Sequence, residues 1–161
     1  MNKQQYNQCV DVYADSLYRF ILKNLGDSFE ADNIVQNTFE KLWLKRDEVI
    51  FEKAKPYLFK IAYNNMIDVI RQNRKIVQID TEAHDREADT QEYSGLHEVL
   101  KKGLDKLPEK QRIVVTLRDY EGYSYDEIAE ITGLNLQQVK VYIYRARLAL
   151  KEFIGKPEVL I

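Results

Sequence analysis

The sequence predicts an all-α protein: two small helical domains, the first of three helices and the second of four, joined by an acidic flexible linker. Three observations predict it. Apolar residues recur at spacings of three and four, with no alternating strand pattern. Capping residues and glycines punctuate those stretches where helices would start and stop. Acidity is concentrated in one segment. Between Gln78 and Leu100 seven carboxylates face only Arg86, a local charge of -6 in a chain of net charge -2, which leaves the two flanks at +4 together.

The first helix runs from about Lys3 to Leu25, with Val10, Tyr13, Leu17, Phe20 and Ile21 on one side, and Gly26 stops it. Asp27 or Ser28 caps a second, from about Phe29 to Arg46, with an inward stripe of Ala31, Val35, Thr38, Phe39 and Leu42. The loop DEVIFEKA follows. Pro56 then sits near the first turn of a third helix, where its missing N–H costs nothing, and that helix runs to about Lys75. The acidic segment has few apolar residues and no period, so it reads as a linker.

The second half begins with a helix from about Ser94 to Lys106. Pro108 opens the next, which turns Ile113, Val114 and Leu117 inward and breaks at Gly122. Ser124 precedes YDEIAEIT with Glu127 three residues on, a capping box, and Gly133 ends that short helix. Asn135 caps a last long helix, about Leu136 to Ile154.

Composition narrows the function. The lone cysteine, Cys9, cannot form an internal disulfide, which fits a reducing cytoplasm. With His84 and His97 as the only histidines, no metal site and no cofactor is expected. No stretch is long and apolar enough for a membrane span. Paired acid–base carboxylates, an activated nucleophile and a phosphate-cradling glycine loop are all missing, so no catalytic residues are expected and an enzyme is not. A pI of about 5.8 argues against a nucleic-acid binder, but the acidic segment masks mildly basic flanks.

The strongest constellation runs from Ser124 to Arg147: a short capped helix, a glycine turn and a second capped helix, the pattern of a helix-turn-helix. Ile128, Ala129, Val139 and Ile143 would join the two helices, with small Ala129 at the crossing. On a helical wheel, Val139, Ile143, Ala146, Leu150 and Phe153 form the inner stripe of the last helix. Gln137, Lys140, Val141, Tyr144 and Leu148 lie opposite, with Arg145 and Arg147 on the flanks. Glutamine can read adenine, valine can meet a thymine methyl, and flanking arginines can reach phosphates. The candidate DNA-reading residues are therefore Gln137, Gln138, Lys140, Val141, Tyr144, Arg145 and Arg147. The alternatives are an ordinary helical hairpin and, for the two arginines, a solvated face that offsets the helix dipole.

On the third helix, Tyr57, Lys60, Asn64, Asp68, Arg71 and Lys75 follow one another at spacings of three and four, a single stripe. An aromatic at one end, amides in the middle and cations at the other suit a separated DNA strand. Bases can stack on Tyr57, and Lys60, Arg71 and Lys75 can hold phosphates. For Asp68, a plain surface pair with Arg71 is the simpler account. On the second helix, Asn33, Gln36, Asn37 and Glu40 lie off the apolar stripe, an amide-rich face suited to a protein partner or simply to water.

The segment LPEKQRIVVTLRDYEGYSYDEIAEITGLNLQQVKVYIYRARLALKEFI resembles the promoter-reading C-terminal domain of sigma-70 family factors. The LPEKQR entry, the G-x-S-x-x-E-I-A core and the V-K…R-A-R ending carry the likeness. EADNIVQNTFEKLW is similar to the family's polymerase-docking helix, and KPYLFKIAYNNMIDVIRQNRK to its DNA-opening element. The short linker leaves no room for a middle domain, which resembles the extracytoplasmic-function subgroup. The resemblance implies a domain at 1-77 that docks on RNA polymerase core and melts the −10 element, a linker at 78-94, and a domain at 95-161 that reads the −35 element. It assigns Asn33, Gln36, Asn37 and Glu40 to polymerase, and to the loop Asp47 to Ala54 the capture of a flipped base. Implied partners are core polymerase, promoter DNA (duplex upstream, single-stranded downstream) and an anti-sigma factor. The chain departs from the family at Gln137-Gln138, where Gly-Thr is common, and at Val141-Tyr142, where Ser-Arg is common. Promoter preference is therefore not carried over. Tyr57 stands where a tryptophan is common. The rival function, a stand-alone helix-turn-helix regulator, leaves the Tyr57 stripe and the amide face unexplained.

Overall fold

The computed structural model describes residues 1–79 and 95–155, with the side chains of 76–79 outside the description. The acidic linker, from 80 to 94, lies outside the described residues. The chain divides into two compact units, Met1–Glu87 and Ala88–Ile161, and the described residues hold helices and turns without strands.

The N-terminal unit contains α1 (Lys3–Leu25), α2 (Ser28–Leu44) and α3 (Ala54–Ile79), each packed against the other two. Local chemistry sets the ends. Asn2 and Gln5 form a capping box at the start of α1, and Gly26 closes it in the left-handed conformation. Asp27, not Ser28, caps α2, accepting from the N–H groups of Phe29 and Glu30. A 3-10 turn, Phe51–Lys53, leads into α3, which runs one turn past the expected end.

The core of this unit is built from Leu17, Phe20 and Ile21 of α1, Ile34 and Leu42 of α2, and Leu58, Phe59 and Met66 of α3, all fully buried or nearly so. Burying each such side chain stabilises the fold by about 1.5–3 kcal/mol. Phe20 and Phe59 join α1 to α3 with ring centroids 5.8 Å apart. Ile34 is buried where Val35 was expected, and Val35 is half-buried. The two lie about 100° apart on the wheel, and packing against both α1 and α3 buries the first. Thr38 is buried too, its hydroxyl donating to Ile34 O at 2.7 Å.

The C-terminal unit contains α4 (Gly95–Lys106), α5 (Glu109–Val115), α6 (Tyr125–Thr132) and α7 (Leu136–Ile154). The long α7 packs against the other three. Leu104, Leu107, Val115 and Ala146 form one buried cluster, flanked by Ala149 and Leu150. Gly103 lets α4 come close to α7, since a Cβ there would meet Leu150 and Phe153 side chains at about 3 Å. The helix opened by Pro108 does not run regularly to Gly122: after Val115 it widens into a π turn, Thr116–Tyr120. Tyr123, wholly buried, follows and donates its N–H to Leu117 O.

Candidate nucleic-acid interface

The expected helix-turn-helix is present, and each of its ends is locally specified. Ser124 Oγ accepts from Glu127 N–H at 3.1 Å while Glu127 Oε1 accepts from Ser124 N–H at 3.0 Å. Gly133 takes φ +77°, which only glycine adopts at no cost, and its N–H bonds Ala129 O. A second capping box opens α7: Asn135 Oδ1 accepts from Gln138 N–H, and Gln138 Oε1 from Asn135 N–H at 3.0 Å.

The two helices meet as the sequence predicts. Ile128, Val139, Ile143 and Ala146 are buried, and Ala129, Leu150 and Phe153 are half-buried. All seven candidate readers, Gln137, Gln138, Lys140, Val141, Tyr144, Arg145 and Arg147, are exposed, Tyr144 at 67%. Two of them make side-chain hydrogen bonds. The side-chain oxygen of Gln138 is tied into the cap, leaving its NH₂ free to donate outward. Arg147 forms a two-pronged pair with Asp119 of the π turn, Nε to Oδ2 at 3.0 Å and Nη2 to Oδ1. The bond to Asp119 pushes the Arg147 guanidinium further above its usual range, against the opposing pull of desolvation.

Sequence reasoning did not single out Arg118, Asp119 and Tyr125. Arg118 donates to Tyr123 O at 2.8 Å and lies 4.6 Å from the centre of the Tyr125 ring. Lys140 stands 5.9 Å from the same ring. Tyr125, the first residue of α6, thus gathers cations from the π turn and from α7, with its ring and Arg118 half-buried and Lys140 exposed. A cation just upstream of the capping box is the one linear signal for this. The partnership with Tyr125 depends on how the helices cross.

In the N-terminal unit, α3 buries Leu58, Phe59, Ala62 and Met66 and turns the predicted stripe outward. Lys60, Asn64, Asp68, Arg71 and Lys75 are exposed, and Tyr57 is half-buried. The stripe spans about 27 Å of helix at the usual rise per residue. On α2, Gln36, Asn37 and Glu40 are exposed and Asn33 half-buried, opposite the buried Ala31, Ile34 and Thr38. The end of α2 is held firmly: Arg46 donates to Trp43 O at 2.8 Å and lies 3.9 Å above its ring, and Tyr6 meets Trp43 edge-on at 4.9 Å. These contacts lie at the entry to the loop Asp47 to Ala54, in which capture of a flipped base was expected. Ile50 within it is exposed.

Comparison with known proteins covers both units. Residues 9–76 match the model of sigma-70 region 2, and residues 97–150 that of sigma-70 region 4. The chain is 28% identical to the ECF RNA polymerase sigma factor SigM of Bacillus subtilis, over 93% of this chain and 95% of that one. It is 31% identical to the RNA polymerase sigma factor SigV of the same organism, over 86% of this chain and 84% of that one. Among solved structures, the sigma factor RpoE of Bartonella quintana, in complex with the anti-sigma factor NepR, is similar with a TM-score of 0.78 and 25% identity, covering 94% of this chain and 98% of that one. CnrH, in complex with the cytosolic domain of CnrY, shares the fold at a TM-score of 0.69 and 23% identity, over 95% of this chain and 89% of that one.

Proposed function

Because this chain belongs to the sigma-70 family of RNA polymerase sigma factors, in its extracytoplasmic-function group, we propose a division of promoter work between its two helical units. The chain is a transcription initiation factor: it directs core polymerase to specific promoters and assists strand opening. One observation carries this: region 2 and region 4 occur on the same chain, in the family's order. A stand-alone regulator would have no use for the first of them. Sigma factors are initiation factors rather than enzymes; this one lends specificity to a polymerase that does the chemistry.

In this proposal the domain at 1-77 docks on core polymerase through Asn33, Gln36, Asn37 and Glu40 of α2. It then holds the opened −10 strand along Tyr57, Lys60, Asn64, Arg71 and Lys75 of α3. The domain at 95-161 reads the −35 duplex with α7, whose N-terminal residues would enter the major groove. In this reading Gln137, Lys140 and Val141 meet base edges, Gln138 does so through its NH₂, and Tyr144 with Arg145 meets the flanking backbone. The acidic segment at 78-94 joins them. The protein acts in the cytoplasm, beside the polymerase and its template. An anti-sigma factor is a further partner, by analogy with the RpoE–NepR complex.

Run-off transcription with purified core polymerase on a promoter library tests this. Added chain should create new, defined start sites. Transcripts unaffected by the chain would overturn the assignment.

A further inference from the structure

The ion pair between Asp119 and Arg147 has no part in the division of labour above. Its two parallel N–H bonds, from Nε and Nη2, occupy the edge of the guanidinium that would grip a phosphate in the same two-pronged way. Asp119 reaches this edge across 28 residues of sequence, from the π turn that precedes the helix-turn-helix. The side chains remain 47% and 37% exposed, Arg147 and Asp119 respectively, so water enters and the pair exchanges readily. Arg118 and Lys140 flank the Tyr125 ring nearby, so Asp119 places a carboxylate beside a group of cations.

We propose that Asp119 is a built-in competitor for Arg147: it holds the guanidinium until a DNA phosphate displaces it, and so sets how tightly the C-terminal unit grips duplex of any sequence. This rests on α7 being the duplex-facing helix. A phosphate seeking a bidentate grip on Arg147 must first break the carboxylate's grip, and it also meets that carboxylate's charge. Both effects weaken binding without regard to base identity, because the backbone carries none.

The test uses the full chain and a short duplex of mixed sequence, with binding followed by fluorescence anisotropy over a range of potassium chloride concentrations. Asp119→Asn keeps the shape of the side chain and removes its charge. It should raise affinity about two- to fivefold, the range for release of an exposed pair. The slope of log affinity against log salt should steepen, by at most about one, because without the carboxylate the surface brings one more net positive charge to the phosphates. Asp119→Glu keeps the charge and should leave that slope at the wild-type value, which also guards against a folding artefact. In an Arg147→Gln background, Asp119→Asn should lose most of its effect. Equal gains in both backgrounds would mean simple repulsion and overturn the proposal. A drop in affinity on Asp119→Asn would overturn it too, making Asp119 a positioning residue for Arg147. Failure of the wild-type chain and its variants alike to bind duplex in a salt-dependent way would overturn the duplex-facing role of α7, and this proposal with it. A wild-type chain that binds, with no gain in Asp119→Asn, overturns this proposal alone.

Discussion

Gly103 on α4 lies directly against Leu150 on α7: a Cβ at Gly103 would stand 2.9 Å from Leu150 Cδ2 and 3.0 Å from Phe153 Cδ1. A methyl group can be met by swinging those half-buried side chains, and alanine gains about 1 kcal/mol in helix propensity over glycine. Gly103→Ala should therefore be near neutral. Gly103→Val cannot be met so cheaply and should destabilise by about 1–3 kcal/mol through overpacking. Leu150→Ala in the same chain should restore part of that loss. Thermal unfolding followed by circular dichroism reads all three, and additive losses in the double variant would count against the contact.

The two glutamines that open α7 should behave differently. Gln138 closes the cap with Asn135. Gln138→Ala should cost about 0.5–1 kcal/mol of stability, at the low end for caps because Asn135 still accepts. Gln137 makes no cap bond, so Gln137→Ala should leave the unfolding midpoint unchanged. It should instead relax base preference at one position of the upstream element, at a cost of about 1–3 kcal/mol in binding. Arg145→Ala should weaken all sequences alike. Selection from a randomised upstream element, run beside thermal melts, separates the three outcomes.

On α3, Tyr57→Ala and Asn64→Ala should leave closed-complex binding near normal and reduce open-complex formation. The stripe meets bases only once the strands part, and each lost stacking contact is worth about 1–3 kcal/mol. A template with a pre-melted bubble should restore much of the loss. Permanganate footprinting of unpaired thymines on intact and bubble templates measures it. Equal impairment of closed binding and opening, with no rescue by the bubble, would contradict the assignment.

Charge reversal on α2 tests polymerase docking. Asn37→Arg with Glu40→Lys changes two exposed side chains opposite the buried stripe. Helicity should be preserved while capture of core polymerase in a pull-down falls at least tenfold, since a charge buried at an interface without a partner costs several kcal/mol. Undiminished capture would remove this face from the docking surface.

Much of this fold is legible in one dimension because its determinants are local. The Ser124–Glu127 box, the Gly133 stop and the Asn135 cap each act within three or four residues, so their spacing is visible in the chain. The same holds for the outward stripe of α3 and the inward stripe of α7, which follow from 3.6 residues per turn. The Asn2–Gln5 box is local as well, set by a spacing of three at the start of the chain.

What the sequence determined alone was therefore the helices, most of their ends and the exposed sides on which the candidate site lies. Tertiary structure decided which of those exposed groups are already occupied. Asp119 meets Arg147, and Arg118 and Lys140 meet Tyr125, only because a π turn and a helix crossing bring them together. It also chose Ile34 over Val35 for the core, a matter of 100° on a wheel that the crossing of three helices settles. The physical reason is common to both cases. Helical periodicity is set by backbone hydrogen bonds between near neighbours, whereas the partner of a long charged side chain depends on where distant segments come to rest.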